Sequence, residues 1–591
     1  MKLSDYVIDF LVGEKISHIF EFVGGAITHL IDSTYGRHDI ACVSVHHEQA
    51  GAFAAEAYAR INGKLGVAMA TSGPGALNLV TGIGSCYFDS VPCLFITGQV
   101  NTYEYKFERP VRQIGFQETD IVSVVKPLTK YAEMIIDPQK IRFCMEKAVY
   151  MARNGRPGPV LLDIPLNIQR AQIEPENLES FFESDEYKKT KSAAECRSGD
   201  IEKTLTFISG AERPVILAGG GIRTSGAHAG FLSFVNKTGI PVVTSLMGLD
   251  SIPHDHPAFF GMIGAYGNRH SNLTVANADL LLVLGSRLDS RQTGTRPDIF
   301  ARAAKKVHVE IDPHEVNARV KVDAAINCDL KTFLDIINKR LETCKKEDIS
   351  DWYKVIHNYR ARYTSSHAAG SSKVNPNRFM ELLSSRSAEG DIICLDVGQN
   401  QMWAGQSFQI KKEQRMLISG GMGAMGFALP AALGAAKAKF EKNIIVITGD
   451  GGIQVNIQEL ETIVHHRLPV KIFVMNNNCL GMVRQFQDMY FDGRHQSTVI
   501  GYSCPRFTDV AKAYGLQVFA VRSMDEAVEL IDQALLAEGP VLVEVALEKT
   551  TVVEPKLVVN KPIEDMSPPL DRKELEKIML IDLANDKEIP K

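Results

Sequence analysis

The chain has 591 residues, and hydrophobic cores stop growing beyond about 250–300 residues, so two to four domains are expected. Its 65 basic and 70 acidic residues give a formal net charge of −5. This balance provides no electrostatic surface for nucleic acid or an anionic membrane. The ten cysteines contain no C-x-x-C pair, which indicates neither a disulfide framework nor a thiolate zinc site and favours a reducing, cytoplasmic compartment.

The first segment, residues 1–16 (MKLSDYVIDFLVGEKI), predicts an amphipathic helix. Acidic residues interrupt its apolar stretch at helical spacing, which is not typical of a signal peptide. No uninterrupted apolar run of the chain reaches about 18 residues, so we expect no membrane-spanning segment.

Short β-branched segments then recur along the chain, and a glycine-rich turn and a helical stretch follow them. Strands that are apolar on both faces and alternate with helices predict parallel sheets covered on both sides, which is an α/β fold. The predicted strands lie within residues 41–45, 66–75, 92–98, 159–165, 214–221, 279–286, 443–452, 470–478 and 540–545.

Two segments interrupt this alternation and divide the chain into thirds. Residues 184–200 are charged and poor in apolar residues, and residues 364–374 are small and polar; such segments are typical of linkers. Each third is long enough for a doubly wound sheet of its own, and we predict domains over residues 1–183, 201–345 and 375–550. Residues 551–591 are interrupted by prolines around one short helical stretch, 571–583, and are predicted to form a tail that packs across a domain.

The most informative motif is a strand–helix–strand unit in the last third, over residues 443–481. Its first strand ends in GDGG (449–452) and its second in NNN (476–478), so both motifs leave the sheet at the carboxyl edge, where open α/β sheets bind ligands. The Asp450 carboxylate, the Asn477 amide oxygen and a backbone carbonyl near Cys479 are oxygen ligands suited to Mg²⁺. The glycines let backbone N–H groups approach a diphosphate closely.

A G-D-G turn followed about 27 residues later by N-N resembles the signature of thiamine-diphosphate-dependent enzymes. Further segments resemble the acetolactate (acetohydroxyacid) synthase branch of that family, occur in the family's order and cover nearly the whole chain apart from the tail. These segments are HEQAGAFAAEAYAR (47–60), ATSGPGALNLVTGI (70–83), GFQE (115–118), TSLMGLDS (244–251), VGQNQMWA (397–404), SGGMGAMGFALPAALGAA (419–436) and NNNCLGMVRQF (476–486).

The resemblance implies catalytic groups in the first third. Glu48 matches the essential acid/base, whose carboxyl group hydrogen-bonds the aminopyrimidine ring of the cofactor; without the resemblance it is only a charge that favours a helix N-terminus. Gly24 and Gly25 match a glycine loop that faces the reacting carbon. Phe116 and Gln117 match a wall of the substrate pocket, where Gln117 would donate a hydrogen bond to a developing alkoxide.

In the last third the resemblance implies the diphosphate-binding site. Met425 matches the apolar residue that supports the folded cofactor, and the Gly423 carbonyl matches the acceptor for its 4′-amino group. Family members build each site from two subunits, which implies a homodimer as the minimum and leaves a tetramer open. The residues at positions that match cofactor contacts are Gly398, Gln399, Gln401, Gly423, Met425, Gly449, Asp450, Gly451, Gly452, Asn477, Cys479, Gly481 and Met482.

The middle third contains a glycine run after its first strand, PVILAGGG (214–221), but no G-x-G-x-x-G, so the pattern alone is weak support for dinucleotide binding. The resemblance implies FAD with a structural role and no net redox chemistry; a middle domain that is empty or binds ADP is the alternative. The residues at the matching positions are Gly220, Gly221, Arg223, Leu246, Met247, Gly264, Gly285, Arg287, Asp289, Arg291, Glu310 and Asp329.

Three differences from anabolic members change the expected acceptor pocket. Phe486 stands where those enzymes carry Trp, Leu166 where they carry Lys, and Val23 where they carry Pro before the two glycines. Arg291, which matches an arginine that can hold an acceptor carboxylate, is retained. The pocket is therefore expected to differ in shape and to be less cationic.

The resemblance implies decarboxylation of a small 2-keto acid, pyruvate first of all, and transfer of the resulting hydroxyethyl unit to a carbonyl acceptor. The acceptor is open between a second pyruvate, a keto-sugar and a diketone. Three further hypotheses are a lyase or hydrolase that cleaves a C–C bond, an oxidase in which FAD turns over, and a paralogue that only binds the cofactor. The presence of Glu48, Gln117, Asp450 and Asn477 weighs against the last.

Overall fold

The computed structural model describes residues 1–190, 196–342, 348–364, 374–439 and 441–584. These ranges contain three parallel sheets of six strands each, all flanked by helices, and one two-stranded antiparallel ribbon. The α/β class predicted from the sequence is therefore confirmed. None of the helices within the described ranges has both the length and the apolar character needed to cross a bilayer.

The first sheet has the spatial order β2-β1-β3-β4-β6-β5. Strand β3 is buried along its whole length because it is apolar on both faces: Val67 and Met69 join one hydrophobic cluster, and Ala68 and Ala70 join another on the opposite face. The strands are β1 (His18–Phe22), β2 (Ala41–Ser44), β3 (Gly66–Ala70), β4 (Cys93–Gln99), β5 (Tyr131–Met134) and β6 (Val160–Pro165). The helices are α1 (Leu3–Gly13), α2 (Thr28–Asp32), α3 (Glu48–Asn62), α4 (Pro74–Asn78), α5 (Val80–Asp89), α6 (Ile121–Val125), α7 (Ile141–Arg153), α8 (Leu166–Gln169) and α9 (Asp185–Thr190).

The second sheet has the order β12-β11-β10-β7-β8-β9, and its central strand β10 (LLLVL) is fully buried. The strands are β7 (Pro214–Ala218), β8 (Val242–Thr244), β9 (Phe259–Met262), β10 (Leu280–Leu284), β11 (Lys305–Glu310) and β12 (Ala324–Asn327). The helices are α10 (Ser198–Ser209), α11 (Gly221–Thr224), α12 (His228–Thr238), α13 (Arg269–Ala276), α14 (Ser290–Thr293), α15 (Leu330–Leu341) and α16 (Ser350–Arg362).

The third sheet repeats the order of the first, as β14-β13-β15-β16-β18-β17. The strands are β13 (Ile392–Leu395), β14 (Arg415–Ile418), β15 (Ile444–Gly449), β16 (Val470–Asn476), β17 (Gln517–Val521) and β18 (Val541–Ala546). The helices are α17 (Pro376–Arg386), α18 (Gln399–Ser407), α19 (Ala428–Ala438), α20 (Asp450–Val455), α21 (Glu459–His465), α22 (Gly481–Tyr490), α23 (Phe507–Ala513) and α24 (Met524–Leu536).

The first and third sheets share a core through helices α3 and α19, which pack against each other. Gly434 permits this close approach, because a Cβ there would lie 2.7 Å from the carbonyl carbon of Ala54. The rings of Phe53 and Phe427 meet edge to face at 5.4 Å between centroids and fill the same interface.

The tail crosses from the third sheet to the second. Its elements are β19 (Lys556–Leu557), β20 (Met566–Ser567) and α25 (Arg572–Ile578). The Leu557 amide donates to the Ala265 carbonyl at 2.7 Å, and the Leu580 amide donates to Asn277 Oδ1 at 2.6 Å.

Parts of the predicted organisation differ from the structure or lie outside it. The single helix expected between the GDGG turn and strand β16 is two helices, α20 and α21, because the Asn456 side chain donates to the Gly426 carbonyl at 2.8 Å where the helix breaks. The helix expected over 571–583 is the shorter α25. Residues 191–195 and 365–373 of the predicted linkers, and the predicted boundary at 345, lie outside the described residues.

Candidate active site

The candidate residues of all three thirds follow the carboxyl ends of parallel strands. Glu48 follows β2, Asp450 follows β15 and Asn477 follows β16, while the positions matched to FAD follow or end the strands of the second sheet. Because side chains at one edge of a parallel sheet are near one another, each sheet presents a potential binding edge.

Glu48 is the first residue of α3 and is 7% exposed. Its Oε2 accepts a hydrogen bond from Asn78 Nδ2 at 2.9 Å. A Cβ on Gly75 would lie 3.1 Å from Oε1 of Glu48, so the turn before α4 leaves little room beside the carboxylate. Asn78, which the sequence did not single out, therefore orients the carboxyl group.

The glycine loop after β1 lies beside the turn after β3. The Ala26 amide donates to Thr71 Oγ1 at 3.2 Å, and a Cβ on Gly24 would collide with the Thr71 side chain, whereas Gly25 faces open space. Gln117 has a φ of +65° and lies against Gly73, where a Cβ would be 3.0 Å from the Gln117 Cβ. The loop, this turn and Gln117 thus form one surface of the first sheet.

Phe116 and the two histidines before Glu48 have different surroundings. Phe116 is 85% exposed and lies at the same edge. His46 contacts Thr462 Oγ1 through Nδ1 at 3.0 Å, and His47 Nδ1 accepts from the Gln49 amide at the start of α3. These contacts give the histidines packing and capping roles.

Asp450 and Asn477 form the centre of the third-sheet site. Asp450 is 3% exposed, and burial raises the pKa of its carboxyl group to about 6. Asn477 donates through Nδ2 to Gln399 Oε1 at 2.9 Å, so its amide oxygen is the atom that could coordinate a cation. A Cβ on Gly481 would lie 2.7 Å from Nδ2 of Asn477, so glycine is needed where α22 begins.

The donor set is suited to a hard cation rather than to a soft metal. Within the described residues there is no group of three or more His, Cys, Asp and Glu side chains that could hold a metal. Burial raises the pKa of the Cys479 thiol to about 11, so the thiol is protonated and only the carbonyl of Cys479 could be a ligand. Asp450, Asn477 and this carbonyl would leave positions for phosphate oxygens.

Met425 lies over the turn at Gly451, since a Cβ added to Gly451 would be 3.1 Å from the terminal methyl group of Met425. Gly423 has a φ of +70° and faces open space, and Met425 is partly exposed. The loop is anchored by Asp396, which accepts from the amides of Gly426 at 2.9 Å and Ala428 at 3.2 Å. Asp396 follows β13 in the sequence CLDVGQNQ, and this position after a buried strand is the signal by which it could have been found.

A cavity of about 450 Å³ lies at the edge of the second sheet, within the range of cofactor pockets. Every residue that the sequence matched to FAD lines it except Gly264. Gly264 instead packs against the Arg291 backbone, where a Cβ would collide. The first and third sheets also contribute to the wall, for example with Arg60, Asp89 and Gly420.

Three of the arginines that line the cavity, at positions matched to FAD, differ in their pairing. Arg223 lies 3.6 Å from the buried carboxylate of Asp250, and Arg287 lies 3.6 Å from Asp289. The Arg291 guanidinium forms no ion pair among the described residues. A ligand with anionic groups would therefore meet positive charge here.

The structure brings the candidate residues together within each sheet but not between the first and third. No hydrogen bond or ion pair in the described ranges joins Glu48, Gly25 or Gln117 to Asp450 or Asn477. The nearest link is structural: Asn456 donates to Gln49 at 3.1 Å. The candidate residues thus form two groups, a first-sheet half-site around Glu48 and a third-sheet half-site around Asp450.

Three family models for thiamine pyrophosphate enzymes match successive parts of the chain: the N-terminal TPP binding domain at residues 1–124, the central domain at 201–337 and the C-terminal TPP binding domain at 396–545. The probable acetolactate synthase large subunit of Methanocaldococcus jannaschii is 37% identical over 561 residues, which cover 93% of this chain and 92% of that protein. The chain belongs to the acetolactate synthase large-subunit family. This confirms the family that the motifs indicated.

Two further members of the acetolactate synthase family have comparable similarity. The acetolactate synthase large subunit of Lactococcus lactis is 35% identical over 557 residues, 94% of each chain. The acetolactate synthase isozyme 3 large subunit of Escherichia coli is 36% identical over 519 residues, which cover 87% of this chain and 88% of that protein. The similarity therefore extends across all three sheets.

The residues of the third sheet fit the cofactor of this thiamine pyrophosphate enzyme family. Among the described residues, Asp450 Oδ2 and both polar atoms of the Gln401 side chain are buried without a hydrogen-bond partner. Each such atom costs about 1–3 kcal/mol. A bound cation could satisfy Asp450 Oδ2, and a bound diphosphate could accept from Gln401 Nε2.

Proposed function

We propose that the protein uses thiamine diphosphate and Mg²⁺ to decarboxylate pyruvate and to ligate the two-carbon product to a carbonyl acceptor, as its relatives' names imply. The observation that carries this proposal is the pair of half-sites: a buried, hydrogen-bonded Glu48 on the first sheet and unpartnered Asp450 and Gln401 atoms on the third. The bound cofactor supplies an electron sink for cleavage and formation of the C–C bond.

The chain's own residues position and polarise the reactants. Asn78 holds the Glu48 carboxyl group, which would be the acid/base that faces the pyrimidine ring of the cofactor. Asp450 and Asn477 would hold the cation, and Met425 would support the cofactor. Gln117, fixed by its turn, donates to the oxygen on which negative charge develops.

The two half-sites support a homodimer in which each copy completes the other's site. Exposed apolar side chains surround both: Phe22, Val23, Leu77 and Phe116 on the first sheet, and Met422, Met425, Val455 and Val483 on the third. Grouped exposed apolar surface is typical of interfaces. The nine described cysteines are free, which supports the expected reducing, cytoplasmic compartment; a tetramer stays open.

Mixing inactive variants tests the shared site. Glu48→Gln and Asp450→Asn should each abolish turnover. If subunits exchange randomly, half of the dimers are mixed and each has one intact site, so about a quarter of wild-type activity should return. A site built within one chain would give no recovery.

The cavity at the second sheet supports FAD with a structural role. Its volume, its several arginines and its glycine turns at Gly221 and Gly285 suit an extended dinucleotide. The purified protein should carry flavin absorbance that pyruvate does not bleach under anaerobic conditions. Bleaching would favour an oxidase instead.

The direct test is to supply pyruvate, thiamine diphosphate and Mg²⁺ and to identify the products by mass, alone and with keto-sugar or diketone acceptors. Acetolactate from pyruvate alone is the expected product. Phe486 is 43% exposed on α22 and stands where the resemblance expects the larger Trp. The second candidate function is therefore ligation to a larger acceptor in a wider pocket, which predicts faster ligation to the larger ketones.

A further inference from the structure

The tail runs along both helices that begin at the third-sheet site. Gln399 Nε2 at the start of α18 donates to the Thr551 carbonyl at 3.1 Å. On α22, Gln485 Nε2 donates to the Val553 carbonyl at 2.9 Å, and the Val553 amide donates to Gln485 Oε1 at 2.9 Å. The chain therefore enters strand β19 directly beside the candidate active site.

Strand β19 places a lysine among three aromatic rings. Lys556 Nζ lies 5.4 Å from the ring centre of Phe486, 5.6 Å from that of Tyr266 and 5.9 Å from that of Tyr490. It also contacts Met489 Sδ at 3.3 Å. Phe486 is the residue that stands in place of a tryptophan in the expected acceptor pocket, so the ammonium group belongs to that pocket's wall.

The Lys556 ammonium is buried without a counter-ion. The residue is 6% exposed and forms no salt bridge with any described residue. Burial lowers its pKa. Aromatic faces offset part of the cost of burying a cation, about 0.5–2 kcal/mol each, but they leave the ammonium's N–H donors without strong oxygen acceptors.

A second unpaired cation, Arg291, also lies near Tyr266. Tyr266 lines the large cavity together with Arg291, whose guanidinium forms no ion pair among the described residues. Phe486, Met489 and Tyr490 are partly exposed, so the Lys556 side of this wall is open to small molecules. Lys556 and Arg291 thus both lie near Tyr266, where an anion next to an apolar body would meet positive charge.

We propose that Lys556 is a specificity-determining residue that binds the carboxylate of a 2-keto-acid acceptor. This inference rests on the proposed carboligation and deepens it: the tail restores the positive charge that Leu166 does not supply. The carboxylate would accept a charge-assisted hydrogen bond from Nζ, and the acceptor's alkyl group would lie against Phe486. Acceptors with a carboxylate would thus be favoured over neutral ketones.

The test compares two acceptors in the holoenzyme with pyruvate as the donor. Lys556→Met keeps the length of the side chain and removes its charge. It should raise KM for 2-oxobutanoate about tenfold or more and leave KM for the neutral acceptor butane-2,3-dione unchanged. Lys556→Arg should restore the wild-type KM, and Lys573→Met, on the exposed tail helix, serves as the matched control.

If Lys556→Met raised KM equally for both acceptors, or left KM for 2-oxobutanoate unchanged, the proposal would be overturned and Lys556 would have only a packing role. Binding of the unreactive carboxylate oxamate, measured by calorimetry, separates this result from failure of the proposed function. If the wild type consumed no pyruvate, weaker oxamate binding in Lys556→Met but not in Lys556→Arg would still support the anion site. Equal oxamate binding by all variants would refute it.

Discussion

Asp163 lies on β6, the strand next to the edge strand β5 of the first sheet, and links the stability of this sheet to pH. It is 1% exposed on β6, and its two carboxylate oxygens accept from Thr97 Oγ1 at 2.7 Å and Gln99 Nε2 at 2.9 Å. Burial raises its pKa from an ordinary value of 3.8 to about 7. Since the folded state binds the proton more tightly, the stabilisation is complete below pH 3.8 and is lost as the pH rises through 7.

The size of the effect follows from the two pKa values. A difference of one pKa unit corresponds to about 1.4 kcal/mol. Between pH 5 and about 7 the carboxyl group is protonated in the folded state and ionised in the unfolded state, so the wild type should lose on the order of 3 kcal/mol of stability between pH 5 and 8. Asp163→Asn removes the titration and keeps both hydrogen-bond positions. Relative to the wild type, the variant should become more stable as the pH rises.

Hydrogen–deuterium exchange of residues 160–165 measures this local stability, compared between variants at equal pH so that intrinsic exchange rates cancel. Asp185→Asn changes an exposed carboxylate outside the sheet and is the control. The difference in local stability between this variant and the wild type should not change with pH. A constant difference for Asp163→Asn as well would refute the reasoning.

Three further substitutions test close packing and buried charge. Gly481→Ala should weaken Mg²⁺-dependent binding of thiamine diphosphate about tenfold by calorimetry, because the added Cβ displaces Asn477; unchanged affinity would contradict the placement of the site. Asp250→Asn should cost about 3–5 kcal/mol, because it leaves the Arg415 guanidinium, 2.7 Å away, without its buried anion; Arg415→Met in the same chain should recover part of the loss in a thermal melt. Gly434→Ala should cost about 1–3 kcal/mol by forcing α19 away from α3, and an unshifted melting temperature would count against that contact.

The sequence by itself determined the fold class and the position of the third-sheet site, because both depend on local patterns. A strand such as β3, apolar at every position, requires cover on both faces wherever it folds. Asp450 and Asn477 belong to one strand–helix–strand unit, so their proximity follows from parallel pairing of neighbouring strands. The resemblance added candidate roles for Glu48 and Gln117, which their own surroundings in the sequence do not indicate.

Only the tertiary structure decided which residues support these groups and how the chain's charges are placed. Asn78 reaches Glu48 across 30 residues, Arg415 reaches Asp250 across 165, and Lys556 meets Tyr266 from the far end of the chain. The packing of α3 on α19 likewise joins parts of the chain that are far apart in sequence. Such contacts depend on the path of the whole chain, whereas sequence periodicity reports only on neighbours within a few helical turns or along a strand.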